Sequence, residues 1–194
     1  MTLVQSVKKT AKSAGLVLMT GAFCIFAPPQ PASAATPVSS CGAVLSLPGE
    51  YILTNDLNNC PSTAVTITAS DVHFNLDGHT IDGIGNGSGI AVGAVGLTCV
   101  ATSNVHINNG TVTQFDDGIQ LCRATDAHVN NVTATQNDNG DHGIEVNDGA
   151  NDNLLQANSS TGNGTVDMVD FNPACDANTW KANHFNTANQ PCIQ

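Results

Sequence analysis

Asp116-Asp117-Gly118 is answered by Asp141-His142-Gly143, and Gln120 by Glu145, at a constant offset of 25 residues. One step further, the same offset reaches Asp167 and Asp170. If residues one offset apart lie over one another, Asp117, His142 and Asp167 form one column. Asp116 and Asp141 form a second, and Gln120, Glu145 and Asp170 a third. Stacked carboxylates would then sit about 5 Å apart, the spacing of neighbouring strands. At that distance their repulsion is relieved by a raised pKa, a shared proton or a bound cation. Oxygen donors of this kind suit Ca²⁺ or another divalent cation, although none is required. Gln120, Glu145, Asp167 and Asp170 are therefore the expected ligand-binding flank, against the plainer reading of solvated carboxylates in an acidic protein.

A second cluster is built from His73, His106 and His128, which precede Phe74, Ile107 and Val129. Imidazoles stacked outside a coiled chain offer nitrogen donors to Cu²⁺ or Zn²⁺. The plainer reading is a polar ladder, as for Asn75, Asn108 and Asn130 beside them.

These columns exist only if the chain coils with a fixed period, and the sequence says that it does. "HINNGTVTQ" (His106 to Gln114) returns as "HVNNVTATQ" (His128 to Gln136), with apolar residues exchanged for apolar ones between conserved polar letters. Gly-Ile recurs at Gly89-Ile90, Gly118-Ile119 and Gly143-Ile144, followed two residues on by Val92, Leu121 and Val146. The next offset predicts Val169 and Phe171. "VHFNLDG" and "AVTITAS" alternate with period two and are rich in Gly, Asn and Thr, which disfavour helix. An antiparallel meander would not place equivalent residues one full period apart. A parallel β-helix does, stacking Ile on Ile. "GIGNGSG", Gly83 to Gly89, lacks a phosphate loop's spacing and lysine, and reads as the insertion that lengthens one coil.

Composition narrows the partners. The start shows Lys8, Lys9 and Lys12, an apolar run from Ala14 to Phe26, then Ala32-Ser33-Ala34, the pattern of a secretory signal peptide over 1–34. The apolar run falls short of the roughly 20 residues a membrane span needs. Its removal leaves two basic side chains, Arg123 and Lys181, against sixteen carboxylates, a net charge of −14. Nucleic acid and anionic membrane are poor partners for such a surface, since both need clustered Lys or Arg. Neutral sugars and cations fit better, and the protein is expected to be secreted or periplasmic.

Six cysteines remain after such processing, an even set that implies three disulfides. Cys99 and Cys122 are close to one coil apart; Cys41 with Cys60 and Cys175 with Cys192 would staple the two ends. Fifteen connectivities are open to six cysteines. Trp180 and Phe185 read as a plug over the last coil.

The run "CGAVLSLPGEYILTNDLNNC", with "AVTITASDVHFNLDGHTIDG" and "FDDGIQL", resembles bacterial right-handed parallel β-helix repeat proteins of the pectin-lyase-like group, with NosD-type relatives. The resemblance covers nearly all of the chain beyond the leader. It implies an all-β, single-domain, right-handed parallel β-helix of about five coils with disulfide-bonded caps. The expected division is a signal peptide at 1–34, an N-terminal cap at 35–68, coils at 69–174 and a C-terminal cap at 175–194. Polygalacturonases in the wider group carry paired Asp on one coil and His-Gly on the next. By that likeness Asp116 and Asp117 would be acid and base, His142 their support, and the mechanism inverting, with carboxyls roughly 6.5 to 9.5 Å apart. The chain departs from that pattern at Ser88-Gly89-Ile90, where Asn-Thr-Asp is expected, and it lacks the basic clamp for a uronate. The resulting expectations are, in order, a surface or saccharide-binding module, a glycoside-hydrolase-like enzyme, and a periplasmic metal-handling protein.

Overall fold

The computed structural model describes residues 34–95, 98–137 and 141–194; the expected signal peptide at 1–34 lies, but for its last residue, outside the described residues. The chain winds as a parallel β-solenoid of about 5 turns. Each coil lays down three short strands, so the solenoid has three faces. The first face stacks Thr36–Val38, Gly49–Leu53, Val72–Asn75, Leu154–Gln156 and Thr179–Lys181 with the opening halves of Val105–Thr113 and His128–Thr135. The second stacks Leu57–Cys60, Thr80–Gly83, the closing halves of those two long strands, Ser159–Thr161 and His184–Phe185. The third is a separate sheet of Ala43–Leu45, Val65–Ile67, Ser88–Val92, Asp117–Leu121, His142–Val146 and Val166–Asp170.

Alternation along each strand sends one set of side chains inward, where they meet their counterparts on the next coil. Tyr51, Phe74, Ile107, Val129, Leu155 and Trp180 form one such column. Val65, Ile90, Ile119, Ile144 and Met168 form another, and the stacked columns make one continuous core. Asp77, Asn109 and Asn131 turn the corner between the first two faces with φ of 52°, 60° and 54°. Asp and Asn tolerate this left-handed backbone better than most residues, which accounts for their regular appearance between apolar runs.

The recurring Gly-Ile has a steric cause. A Cβ on Gly118 would collide with the carbonyl of Gly143 and with Asn137, and one on Gly143 with Ser160 and the carbonyl of Asp167. The glycine lets this strand press against the next coil, at the corner that leads into that coil's own third-face strand. Asparagines fill the same interior corners: Asn137 Oδ1 accepts from Phe115 N at 3.1 Å, and Asn163 Oδ1 accepts in turn from Asn137 N at 3.1 Å. Asn153 with Asn178 and Asn158 with Asn183 repeat the arrangement at 3.0 and 3.1 Å. These ladders satisfy backbone groups that the turns would otherwise leave buried and unpaired.

The cysteines join as Cys41–Cys60, Cys99–Cys122 and Cys175–Cys192, with Cα separations of 5.5, 5.6 and 6.1 Å. Cys99 lies in a small antiparallel hairpin, Ala94–Val95 against Thr98–Cys99. That hairpin, and not Gly83 to Gly89, accounts for the longer spacing from Gly89-Ile90 to Gly118-Ile119, because it is the part of the chain inserted between them.

One expectation fails at the last coil. Ile144 stacks on Met168, Glu145 on Val169 and Val146 on Asp170, so this coil is one residue shorter than the offset predicts. A slip of one residue exchanges the inner and outer sides of a strand. Val169 therefore lies on the outer side and Phe171 is 49% exposed, while Asp170 points into the core.

Candidate functional site

On the outer side of the third face one column runs Val44, Thr66, Ala91, Gln120, Glu145 and Val169. Beside it run Ser88, Asp117, His142 and Val166. Because these strands are hydrogen-bonded in register, residues distant in the chain are held side by side without any loop between them. The two columns bring together Asp117, His142 and Glu145, all buried. Among the described residues this is the set whose ligating atoms all lie within 4.8 Å of one another.

His142 is the hub. Its Nδ1 donates to Glu145 Oε2 at 2.7 Å and stands 3.6 Å from Asp117 Oδ1, while its backbone N–H donates to Asp117 Oδ1 at 3.1 Å. Gln120 Nε2 donates to Glu145 Oε1 at 3.1 Å and reaches Asp117 Oδ2 at 3.5 Å. The ring of Phe171 meets the imidazole edge-on at 5.8 Å between centroids.

Electrostatics divide the three groups. The Asp117 carboxylate at 3.6 Å, and then the hydrogen bond to Glu145, hold the His142 imidazole protonated up to about 9. Burial pushes the Asp117 carboxyl above the usual range, and its bonds to His142 only partly oppose this. Burial acts the same way on Glu145, but there the bonds from His142, Gln120 and Asn147 win, and its carboxyl lies below the usual range. The site is an imidazolium–carboxylate pair with a second, more proton-prone carboxyl beside it.

A neutral trough of about 390 Å³ leads to this triad across the same face, lined among others by Thr63, Thr66, Thr68, Ser88, Ala91 and Gln120. Gln120 belongs to both: it lines the trough and holds the two carboxylates.

The remaining expected residues fall elsewhere. Asp116 Oδ2 accepts from Gly87 N at 3.0 Å and anchors the loop before Ser88, outside the cluster of Asp117, His142 and Glu145. In that cluster a carboxylate oxygen of Asp117 lies within 4.8 Å of one of Glu145. Asp167 lies behind Gly143 and accepts from Asn163, Asn186 and Thr187, which together hold its carboxyl below the usual range despite burial. Asp170 accepts from Asn178 Nδ2 at 3.1 Å and Trp180 Nε1 at 3.0 Å. Both are structural acceptors, removed from the ligand-binding flank by the one-residue slip. A cation at the triad would have Asp117, His142 and Glu145 as donors. Two carboxyls and one nitrogen are far from the six to eight oxygens Ca²⁺ prefers, and suit a borderline metal better, at the cost of the His142–Glu145 bond.

His73, His106 and His128 do stack, with ring centroids 4.3 and 4.5 Å apart. Their nitrogens are directed to separate partners: His73 Nδ1 to Glu50 at 3.0 Å, His106 Nε2 to Asn104 at 3.0 Å and His128 Nε2 to Asp126 at 3.7 Å. Burial, then the flanking imidazoles of His128 and His73, press the His106 pKa down. The geometry is that of a ladder whose nitrogens do not converge.

Sequence reasoning placed Glu145 and His142 in different columns and so missed their contact. Residues three apart on a strand of period two are expected on opposite sides, so the contact is visible only in the folded coil. Phe171 was assigned to the core. Comparison of the chain with family models, with curated proteins and with solved structures finds no match.

Proposed function

We propose that the chain is an exported saccharide-binding module whose ligand lies in the trough of the third face and ends at the Asp117–His142–Glu145 triad. Gln120 carries this reading, because one side chain lines the trough and also fixes both carboxylates. Hydroxyls of threonine and serine and the Gln120 amide, set on adjacent coils among Val44, Ala91 and Ala94, suit the mixed polar and apolar faces of a sugar chain, and the preorganised surface keeps the entropic cost of binding low. A chain this acidic favours a neutral saccharide over a uronate. Three disulfides support an oxidising destination. Among the described residues no helix is long and apolar enough to cross a membrane. Relationship to the pectin-lyase-like β-helix proteins is part of the same reading.

The test is calorimetry of the purified protein against a panel of neutral oligosaccharides, repeated on Thr66→Arg, which fills the trough from an outward position. Binding that vanishes in the variant supports the reading. Binding that survives it, or a panel without a ligand, overturns it.

A second reading, a glycoside-hydrolase-like enzyme, is favoured by one observation. Two neighbouring carboxyls are pushed apart in proton affinity, Asp117 up and Glu145 down, as an acid and its ionised partner must be. In that reading Asp117 donates the proton to the leaving oxygen. Release of reducing ends from the same panel separates the two readings.

A further inference from the structure

The second face carries two outward columns of nearly one residue type. Thr80, Thr111, Thr133 and Ser159 stack in one, and Asp82, Thr113, Thr135 and Thr161 in the other. The first face offers His and Asn in the equivalent places, and the third Thr, Ala, Gln and Glu. The general preference of strands for threonine would spread it over all three faces, so it does not account for this concentration.

Three properties follow from position. Hydrogen-bonded coils space the rows by about 4.8 Å, and two residues of strand rise space the columns by about 6.7 Å, so the array is a rectangular lattice. Threonine is stiff at χ1, and every member is half-buried between its neighbours, so hydroxyl and methyl groups are held in repeating positions. Thr80, Thr111, Thr113, Thr133, Thr135 and Thr161 use no side-chain hydroxyl in a hydrogen bond within the described residues. Other threonines do: Thr54 Oγ1 donates to Val38 O at 3.2 Å, and Thr187 Oγ1 to Asp167 Oδ2 at 3.1 Å. The array also lies within a rigid frame, since Cys60 at its leading edge is held to Cys41.

A partner for such a surface must itself repeat in two directions. A flexible chain repeats in one, and a protein partner of so acidic a molecule would be sought by charge, which these six threonines and one serine lack. We infer that the second face adsorbs to ice. Water oxygens in the prism plane of ice repeat on the same scale in both directions. Threonine hydroxyls can take lattice positions while the methyl groups fit the hollows between them. The lattice is uncharged, as are the six threonines and Ser159 between Asp82 at one end of the array and His184 at the other. Little has to be ordered on contact, because the coils fix the backbone and threonine is stiff at χ1, and that keeps the cost of adsorption low. Asp82 ends the array at the leading coil and His184 at the last.

The test is independent of the trough. The purified protein is measured for thermal hysteresis and for partition into a slowly growing ice front. The same is done for Thr133→Tyr at the centre of the array, for Thr113→Ser with Thr133→Ser, which keep the hydroxyls but remove two methyls, and for Asn130→Lys on the first face. Far-ultraviolet spectra and melting temperatures confirm that each variant is folded. Expected are hysteresis and partition in the wild type and Asn130→Lys, loss of both in Thr133→Tyr, and a reduction in the serine pair. Absence of both in the wild type, or their survival in Thr133→Tyr, overturns the inference. Retention on crystalline cellulose or chitin in place of ice, abolished by Thr133→Tyr, also overturns it and assigns the lattice to a polysaccharide.

Discussion

His142 Nδ1 lies 2.7 Å from Glu145 Oε2, three residues away on the same outward strand, and both side chains are buried. The pair makes stability depend on pH in a defined direction. An ordinary imidazole titrates near 6.5, and this one is held protonated up to about 9. The stabilisation is complete below 6.5 and is lost as pH rises through about 9. The gap corresponds to at most about 3 kcal/mol. Thermal melts should therefore show a falling melting temperature between those two pH values in the wild type and a flatter curve in His142→Gln. Identical slopes would show that the pair does not carry the effect.

Removing the imidazole outright has a larger consequence. His142→Ala leaves Glu145 buried with Gln120 and Asn147 but without its charge partner. Breaking one side of a buried pair costs on the order of 3 kcal/mol or more. Denaturant titration should show it, and the double variant with Glu145→Gln should recover part of the loss.

Asp116 and Asp117 are neighbours with separate tasks. Asp116→Asn weakens one anchor to Gly87 N, worth about 1 kcal/mol, and leaves the triad intact. Asp117→Asn removes the proton-prone carboxyl. If the protein releases reducing ends from a neutral glycan, Asp117→Asn abolishes that release and Asp116→Asn does not. Equal loss in both would remove Asp117 from the chemistry.

Asp170 caps the last coil from within. Trp180 Nε1 and Asn178 Nδ2 donate to it at 3.0 and 3.1 Å, and Asn172 N at 2.9 Å. Asp170→Ala leaves the Trp180 Nε1 and Asn172 N donors buried and unpaired, at roughly 1 to 3 kcal/mol each, while Asn178 Nδ2 keeps its bond to Ala150 O. Trp180→Phe keeps the plug and loses one bond, so its cost should be the smaller of the two in a denaturant series. Since the carboxyls of Asp167 and Asp170 are already saturated with protein donors, Ca²⁺ should not raise the melting temperature through them. A Ca²⁺-dependent rise abolished by Asp170→Asn would contradict that placement.

The repeat of "HINNGTVTQ" as "HVNNVTATQ", the Gly-Ile columns and the even cysteines were enough to establish a coiled parallel architecture. Each coil is written locally, in alternation and in turn residues, and a residue's column follows by counting. Cys99 with Cys122, Trp180 as a plug and the stacking of the three histidines all follow from that count. Counting fails where one coil is a residue shorter, because side chains alternate with period two and a single missing residue turns a strand over. Whether Met168 or Val169 meets Ile144 is settled by hydrogen bonds between coils, and by Trp180 and Asn178 reaching Asp170, contacts between parts of the chain that no local pattern records. The same holds for the triad. The letters show that Asp117, His142 and Glu145 are near one another, but burial and the direction of Nδ1, which exist only in the assembled solenoid, decide which of them share a proton.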